Sequence, residues 1–297
     1  MAIDVLTNGV GFITLFVPEL PELEVIKDKL RLMLIGRRIM DTTLRQAATL
    51  KTVRPTLASI RESRIRTISR YGKFLGIATD NKLHLCIHLM LNGALIIIPS
   101  DKPMTRSHLL ALHFEDRNDL RITESSSRRR VAVWLVTDPQ NIPWIAQLGI
   151  DPLGPQFTLK RFRYLLKRRN RILKKFLTDQ RAVVGIGNCY SDEILFEAKL
   201  SPFQKTFGLK PEQSIRLFMA VKKTLADAII RFKSLDHLPD RRDRTFLRVH
   251  NRLGQACPVC GTEIRRKSYK DSTTYYCPGC QTHGKTLADR WMSRLLK

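Results

Sequence analysis

Four cysteines near the end of the chain form two close pairs, and their spacing constrains the fold more than any other feature. In "CPVCGTEIRRKSYKDSTTYYCPGC", 16 residues separate Cys257 and Cys260 from Cys277 and Cys280. Two residues between thiolates let one tight turn direct both sulfurs at a single ion, and a second such turn completes a tetrahedral site. The spacing predicts one structural zinc ion, Zn²⁺, with no open position for catalysis. Two disulfide bonds are the alternative, which a reducing compartment disfavours.

The residues between the two cysteine pairs predict a β-hairpin. "IRRKSYK" and "TTYY" form its strands, and Lys270, Asp271 and Ser272 lie near its tip. The hairpin carries four basic residues: Arg265, Arg266, Lys267 and Lys270. We therefore expect a basic finger, held rigid by a metal, that contacts phosphates or a nucleic-acid groove.

The charge balance predicts a polyanionic partner. The 297 residues include 52 Lys and Arg against 27 Asp and Glu, which gives a net charge of +25 and a pI of about 10.3. Solubility alone does not require so large a bias, whereas nucleic-acid binding does. A membrane partner is disfavoured because no apolar run approaches the roughly 20 residues that span a bilayer. The first 17 residues also lack the basic segment of a signal peptide, so we expect a cytoplasmic protein.

Hydrophobic periodicity divides the chain into a β-rich part and a helical part. Leu23, Ile26, Leu30 and Met33 recur at helical spacing and predict an amphipathic helix that ends at Gly36. From about residue 38 to 150, short apolar runs such as "KFLGIA", "LHLCIHLML" and "VAVWLV" predict strands. Beyond a linker, "DPLGP", three longer runs are helical in period: "LKRFRYLLKRRNRILKKFLTDQ", "YSDEILFEAKL" and "PEQSIRLFMAVKKTLADAIIRF". The expected fold class is α+β, with several domains.

A glycine-rich turn precedes the second of these helical runs, in "DQRAVVGIGNCYSDEILFEA". Gly185 and Gly187 could belong to a dinucleotide-binding loop, but the third glycine is missing and the preceding segment is helical. The turn instead predicts exposed backbone amides and the Asn188 side chain at a helix N-terminus, where anions bind.

Four motifs occur in an order that resembles one protein family. "PELPELE", "GKFL", "VVGIGNCYSDEILFEA" and "CPVCG…YYCPGCQ" are similar to the formamidopyrimidine-DNA glycosylase and endonuclease VIII family, over nearly all of residues 18–281. The resemblance implies an N-terminal helix and β-sandwich, a helical helix-two-turn-helix domain and a terminal zinc-finger β-hairpin. The expected divisions are an extension at 1–17, a catalytic domain at 18–150, a helical DNA-binding domain at 151–245, a zinc finger at 246–283 and a basic tail at 284–297.

The resemblance also implies a reaction and the residues that perform it. The expected activity is base-excision repair of oxidised purines, 8-oxoguanine and formamidopyrimidine, by a glycosylase and AP lyase that uses an N-terminal proline Schiff base and β,δ-elimination. Oxidised pyrimidines, as for endonuclease VIII, or a catalytically inactive DNA-binding protein are the alternatives. The implied catalytic residues are Pro18, Glu19, Glu22 and Lys73, with Asn188 and Lys174 as phosphate contacts. Taken alone, "PELPE" is also ordinary chemistry for a helix start.

Residues that fill the gap left by an extruded base are only partly retained. Leu91 matches the apolar wedge, and "SRRRVAVW" offers Arg130 and Val131 where the purine-specific members carry Arg and Phe. The arginine of the finger tip is replaced by Ser272, so Lys270 is the candidate substitute. The implied partner is double-stranded DNA with damaged bases or abasic sites, bound by a monomer in the bacterial nucleoid.

The position of Pro18 inside the chain conflicts with its implied role. A proline within a chain has an amide nitrogen, which is not a nucleophile. Val17 precedes it, and GTG encodes valine internally but can also initiate translation. The simplest interpretation is a true start at codon 17, followed by methionine removal. Proteolytic maturation and a catalytically inactive relative are the alternatives.

Overall fold

The computed structural model describes residues 17–126, 128–269 and 272–286, and these show the predicted α+β architecture. The predictions for Lys270, for residues 1–16 and for most of the basic tail lie outside the described residues. Among those described, no helix is long and apolar enough to cross a membrane.

The first helix, α1 (Leu20–Leu34), begins directly after the opening motif. The backbone N–H of Glu19 donates to the Glu22 carboxylate at 3.0 Å, which satisfies one N-terminal amide of the helix. The predicted apolar stripe is buried at Leu23, but Met33 is 41% exposed.

Two four-stranded antiparallel sheets form the N-terminal β-domain. Their orders are β1-β6-β7-β5 and β2-β3-β4-β8. Apolar side chains from both sheets and from α1 share one buried core. The strands β1 and β2 were not among the predicted runs. The strand bounds are β1 (Ile39–Leu44), β2 (Ile65–Tyr71), β3 (Phe74–Thr79), β4 (His84–His88), β5 (Gly93–Pro99), β6 (His108–Phe114), β7 (Asn118–Glu124) and β8 (Ala132–Val136).

A helical domain with its own core follows. The short helix α2 (Pro143–Ala146) packs on the β-domain, because Ile145 shares a small core with Phe74 and Val136. The helices of the helical domain are α3 (Leu159–Arg168), α4 (Leu173–Leu177), α5 (Asn188–Glu197) and α6 (Pro211–Lys233). The first predicted helical run is divided into α3 and α4, which corrects the expectation of one helix. Thr206 explains the break: its hydroxyl donates to the Arg169 carbonyl at 2.9 Å and accepts from the Arg171 N–H at 3.2 Å.

The C-terminal finger contains the predicted hairpin, β9 (Arg265–Tyr269) paired with β10 (Ser272–Tyr276), and then α7 (Pro278–Thr282). A small core joins the finger to α5 through Phe196, Val249 and Ile264.

The linker between the β-domain and the helical domain is fixed to the segment that leads into the glycine turn. The Ile150 N–H donates to the Ala182 carbonyl at 3.1 Å, and the Val184 N–H donates back to the Ile150 carbonyl at 3.0 Å. The start of α1 reaches the same turn, because the Leu20 N–H donates to the Gly185 carbonyl at 2.9 Å. The fold thus brings residues 19 and 187 together.

Candidate active site and DNA interface

The carboxylate of Glu19 is held by the backbone at the start of α5. It accepts hydrogen bonds from the N–H groups of Gly187 at 2.6 Å, Cys189 at 3.0 Å and Tyr190 at 3.2 Å. The side chain is 2% exposed. Amides at a helix N-terminus favour an anion, so the predicted anion site of this turn is filled by a carboxylate of the protein itself.

Two glycines make this close approach possible. Gly185 has φ +82°, which a residue with a side chain rarely adopts, and a Cβ there would overlap Leu20. A Cβ at Gly187 would overlap both the Glu19 carboxylate and the Lys73 ammonium group. The Gly-Ile-Gly sequence is therefore required by the contact between the turn and α1.

Charges around Glu19 keep it ionised. Burial by itself raises the pKa of this carboxyl, but the positive charges of Lys73 and Arg244 and the hydrogen bond from Cys189 outweigh burial and leave the pKa below 4.5. Lys73 comes from the turn between β2 and β3. Around neutral pH, Glu19 is thus a carboxylate that can accept a proton.

Glu22, also on the first turn of α1, forms a buried ion pair with Arg244. The Arg244 Nε donates to Glu22 Oε1 at 2.6 Å, and the Tyr190 hydroxyl donates to the same oxygen at 3.0 Å. The Arg244 guanidinium also lies 5.7 Å from the centre of the Tyr190 ring. The pair connects the first turn of α1 to α5 and to residues 241–246.

Pro18 is buried next to this network. The carbonyl of Val17 accepts a hydrogen bond from Arg244 Nη2 at 3.0 Å, so the Pro18 nitrogen belongs to an amide in the described chain. Pro18 also lines a cavity of about 930 Å³. Helix α1, strand β5 and residues 236–240 form most of the remaining wall, with Asn92 and Ser125 at its edge. Such a volume accommodates a nucleobase.

The structure places the predicted DNA contacts of the β-domain in different environments. Leu91 is half-buried in the turn between β4 and β5, and Arg130 is exposed. Val131 is 2% exposed within the core of the β-domain, and its N–H donates to the Glu124 carboxylate at 3.1 Å. Insertion of Val131 into DNA would require this core to open, so the geometry favours a packing role.

The two predicted phosphate contacts of the helical domain also differ. Asn188 is exposed as the first residue of α5. Lys174 is 4% exposed, and its ammonium group donates to Asp192 Oδ1 at 2.6 Å and to the Thr273 carbonyl at 2.8 Å. Asp192 Oδ2 in turn lies 2.8 Å from His250 Nδ1. Lys174 thus ties the finger to α5, a geometry that favours a structural role over a phosphate contact.

The four cysteine sulfurs of the finger lie within 4.8 Å of one another. Cys260 Sγ is 3.4 Å from the sulfurs of Cys277 and Cys280, and Cys257 Sγ is 3.9 Å from that of Cys280. These separations exceed a disulfide bond of about 2.05 Å and match the edge of a tetrahedron with metal–sulfur bonds of about 2.3 Å. The cluster therefore fits a structural metal such as zinc.

Arg244 and Tyr190 are the main members of the site that the sequence did not reveal. Arg244 is one of four arginines in "DRRDRTFLR", and nothing in the spacing distinguishes it from the others. Tyr190 follows the glycine turn by three residues, which places it on the first turn of α5, and this position was a usable signal.

A β-domain, a helical domain with a glycine turn and a four-cysteine finger together define a DNA-binding protein whose carboxylate site lies between its domains. Comparisons with known proteins agree. Residues 17–132 match the formamidopyrimidine-DNA glycosylase N-terminal domain, and residues 148–236 match the formamidopyrimidine-DNA glycosylase H2TH domain. The chain therefore belongs to the formamidopyrimidine-DNA glycosylase family.

Individual relatives align over almost their whole length. The formamidopyrimidine-DNA glycosylase of Thermus thermophilus is 34% identical over 281 residues, which are 90% of this chain and 99% of the relative. That of Laribacter hongkongensis is 32% identical, with 89% and 99% covered. Lactococcus lactis Fpg in complex with abasic-site DNA superimposes with a TM-score of 0.80 at 26% identity, over 89% of this chain and 99% of the other. Complexes of the same protein with Fapy-dG DNA and with oxidised-pyrimidine DNA each have a TM-score of 0.81 at 27% identity, over 89% and 100% of the two chains.

Proposed function

We propose that this protein excises oxidised purines, formamidopyrimidine and 8-oxoguanine, from double-stranded DNA and then cleaves the abasic site. The observation that carries the proposal is the Glu19 carboxylate, which is ionised and held close to Lys73. It belongs to the residue that directly follows Pro18, and Pro18 lines a cavity that accommodates a base. The names of the relatives described above support formamidopyrimidine as a substrate.

The proposed reaction begins with Pro18 as the N-terminal residue. Its secondary amine attacks C1′ of the damaged nucleotide, the bond from C1′ to the base breaks, and the base leaves with that electron pair and takes a proton from water. The amine loses its own proton to the Glu19 carboxylate. Protonation of the ring oxygen opens the sugar and gives an iminium ion between Pro18 and C1′. This cation accepts the electrons of a C2′–H bond, whose proton passes to water, and the 3′ phosphate then leaves with its C–O electron pair in the β-elimination. Loss of the C4′ proton to water in the same way expels the 5′ phosphate in the δ-elimination. Lys73 is the proposed ligand of a phosphate beside the sugar.

The remaining assignments concern partners and cofactor. The four finger cysteines hold one structural zinc ion, which gives the hairpin the rigidity to contact DNA. Asn188 and Arg130 are exposed and are the proposed backbone contacts of the helical domain and the β-domain. We propose a monomer that works on the nucleoid in the bacterial cytoplasm.

Excision of oxidised pyrimidines is the second candidate. It is favoured by the burial of Val131, because an aliphatic core residue cannot stack on DNA as the phenylalanine of the purine-specific members does. The structural similarity to Lactococcus lactis Fpg bound to oxidised-pyrimidine DNA is consistent with this candidate.

Borohydride trapping tests the proposal, because borohydride reduces the iminium ion to a stable bond. Two forms of the protein are compared on abasic, oxidised-purine and oxidised-pyrimidine duplexes: the 297-residue chain and a chain whose N-terminus, verified by mass spectrometry, is Pro18. We expect covalent capture by the Pro18 form and none by an untrimmed long chain. Capture by the untrimmed chain would exclude Pro18, and no capture by the Pro18 form on any duplex would favour the inactive DNA-binding alternative.

The role of Glu19 is tested in the Pro18 form. Glu19→Gln keeps the size of the side chain but removes its capacity to accept a proton, so we expect base excision to slow by about 10²- to 10⁴-fold with DNA binding retained. Glu212→Gln is the matched control, because Glu212 is exposed on the first turn of α6. An unchanged excision rate in Glu19→Gln would remove Glu19 from the mechanism.

A further inference from the structure

A second cleft, of about 590 Å³, lies in the helical domain and shares no lining residue with the cavity at Pro18. Four arginines line it: Arg168, Arg169, Arg171 and Arg181. Its other lining residues include one carboxylate, Asp179, and the apolar side chains of Leu165 and Phe176.

The four arginines come from two segments, residues 168–171 and residue 181. Arg168 is the last residue of α3 and Arg169 follows it, whereas Arg171 lies between α3 and α4. The negative end of the α3 dipole accounts for basic residues at its C-terminus. It does not account for Arg181, which arrives from the segment before the glycine turn. The fold thus assembles this cluster, which is not simply a basic run along one helix.

The cleft carries an excess of positive charge. Asp179 pairs with the Arg171 guanidinium, and its Oδ1 accepts the backbone N–H of Arg181 at 3.0 Å. Among the residues that the structure describes, Arg168, Arg169 and Arg181 form no ion pair with a carboxylate. Four guanidinium groups against one carboxylate leave three positive charges in excess within one concave surface.

Such an arrangement favours phosphate groups. Guanidinium forks bind phosphate oxygens in a bidentate manner, and several like charges gathered on one concave surface raise the local potential for an anion. Phe176 is 3% exposed and lies beneath the arginines as part of the cleft lining. We propose that this arginine cleft binds the phosphate backbone of a DNA segment other than the one whose nucleotide enters the cavity at Pro18. The protein would then hold two stretches of DNA at once.

The test counts the duplexes that one protein molecule binds. Sedimentation velocity with a short undamaged duplex is performed on the native chain and on Arg168→Gln/Arg181→Gln, which removes two cleft charges and keeps the side-chain stems. The matched control is Arg66→Gln/Lys102→Gln, because both residues are exposed in the β-domain and lose the same charge. Thermal melting verifies that all three proteins are equally folded.

We expect the native and control proteins each to bind two duplexes. The cleft variant should bind its second duplex roughly 10- to 100-fold more weakly than the native protein does. For the second duplex, the slope of log binding constant against log salt concentration should be less steep in the cleft variant by about 1.8. Each of the two phosphates that the variant no longer neutralises accounts for about 0.9 of this slope. A single duplex on the native protein, or unchanged second binding by the cleft variant, would overturn the proposal. If inorganic tripolyphosphate binds the native protein but not the variant while duplex binding is equal, the cleft is an oligophosphate site and the DNA proposal fails. None of these readouts needs catalysis, so failure of borohydride trapping leaves this test independent.

Discussion

The Glu19 site and the four-cysteine finger both concentrate negative charge, but they neutralise it in different ways. Around Glu19, the folded chain supplies the neutralising groups: three backbone N–H donors and, in order of decreasing effect on the Glu19 pKa, Lys73, Arg244 and His250. In the finger, four sulfurs crowd within 4.8 Å and receive few protein donors, such as the Cys280 N–H at 3.4 Å from Cys277 Sγ. A bound metal ion is what can neutralise four thiolates at that separation.

The two regions also differ in the cores that support them. Glu19 lies where the cores of the β-domain and the helical domain meet, since the neighbouring Leu20 and Leu23 belong to one core each. The finger adds only a small cluster around Ile264. The comparison indicates that protein packing organises the Glu19 site in advance, and we expect the finger, with its small core, to fold only when a metal is bound.

Metal removal should produce the largest difference between the two regions. In Cys277→Ser, or after chelation, we expect the finger to unfold and DNA affinity to fall by at least about 100-fold, because structural zinc contributes about 10 kcal/mol or more to such a fold. Hydrogen exchange should show reduced protection in β9 and β10 and retained protection in β3 and β4. Cys86→Ala is the control, since it removes a buried thiol outside the cluster. Loss of protection in β3 and β4 as well as in the finger would show that the Glu19 site also depends on the metal, which contradicts the comparison.

The glycine turn should be the next most sensitive feature. Gly187→Ala places a methyl group where the Glu19 carboxylate and the Lys73 ammonium group lie, so one of them must move. A displacement of about 1 Å at a catalytic group costs about 100-fold in rate, and we expect that decrease in single-turnover excision. Gly208→Ala is the control, because a Cβ there meets no atom within 4 Å. Equal rates for the two variants would show that the close approach is not needed.

The smallest expected effect is on the pH dependence of stability. Because the pKa of Glu19 is lower in the folded protein than its ordinary value of 4.5, ionised Glu19 stabilises the fold above pH 4.5. That contribution is lost as the pH falls through the lowered pKa. Urea unfolding should therefore show a constant stability difference between native protein and Glu19→Gln from pH 6 to 8, which shrinks below pH 4.5. A stability difference that grows on acidification would contradict a lowered pKa of Glu19 in the folded protein.

The contrast between the two regions also explains what the sequence could reveal. The finger was predictable because its ligands are local: each cysteine pair spans four residues, and the hairpin lies between the pairs. The positions of Glu19 and of the glycine turn were predictable only separately. Their contact joins residues 168 positions apart, and no periodicity or spacing encodes which amides will face a given carboxylate. The α+β class was confirmed because it depends on periodicity alone.

Local sequence patterns also could not predict which side chains within one motif are buried. Arg130 and Val131 are neighbours in one exposed-looking basic run, yet one is exposed and the other belongs to the core of the β-domain. Lys174 lies in an equally basic run but faces Asp192. In each case long-range packing decides the direction of the side chain. Their predicted DNA contacts therefore remain predictions that only binding experiments can test.

The most direct test of a preorganised Glu19 carboxylate is an NMR titration of its carboxyl carbon, with the resonance assigned by its absence in Glu19→Gln. We expect this group to titrate below 4.5 in the metal-loaded protein, because backbone amides and two cations stabilise its charge. We also expect a value still below 4.5 after the metal is removed, because the backbone amides, Lys73 and Arg244 lie outside residues 246–283 and only the smaller contribution of His250 lies within them. A titration at or above 4.5 in the metal-loaded protein would contradict the claim that the folded chain holds Glu19 as a carboxylate.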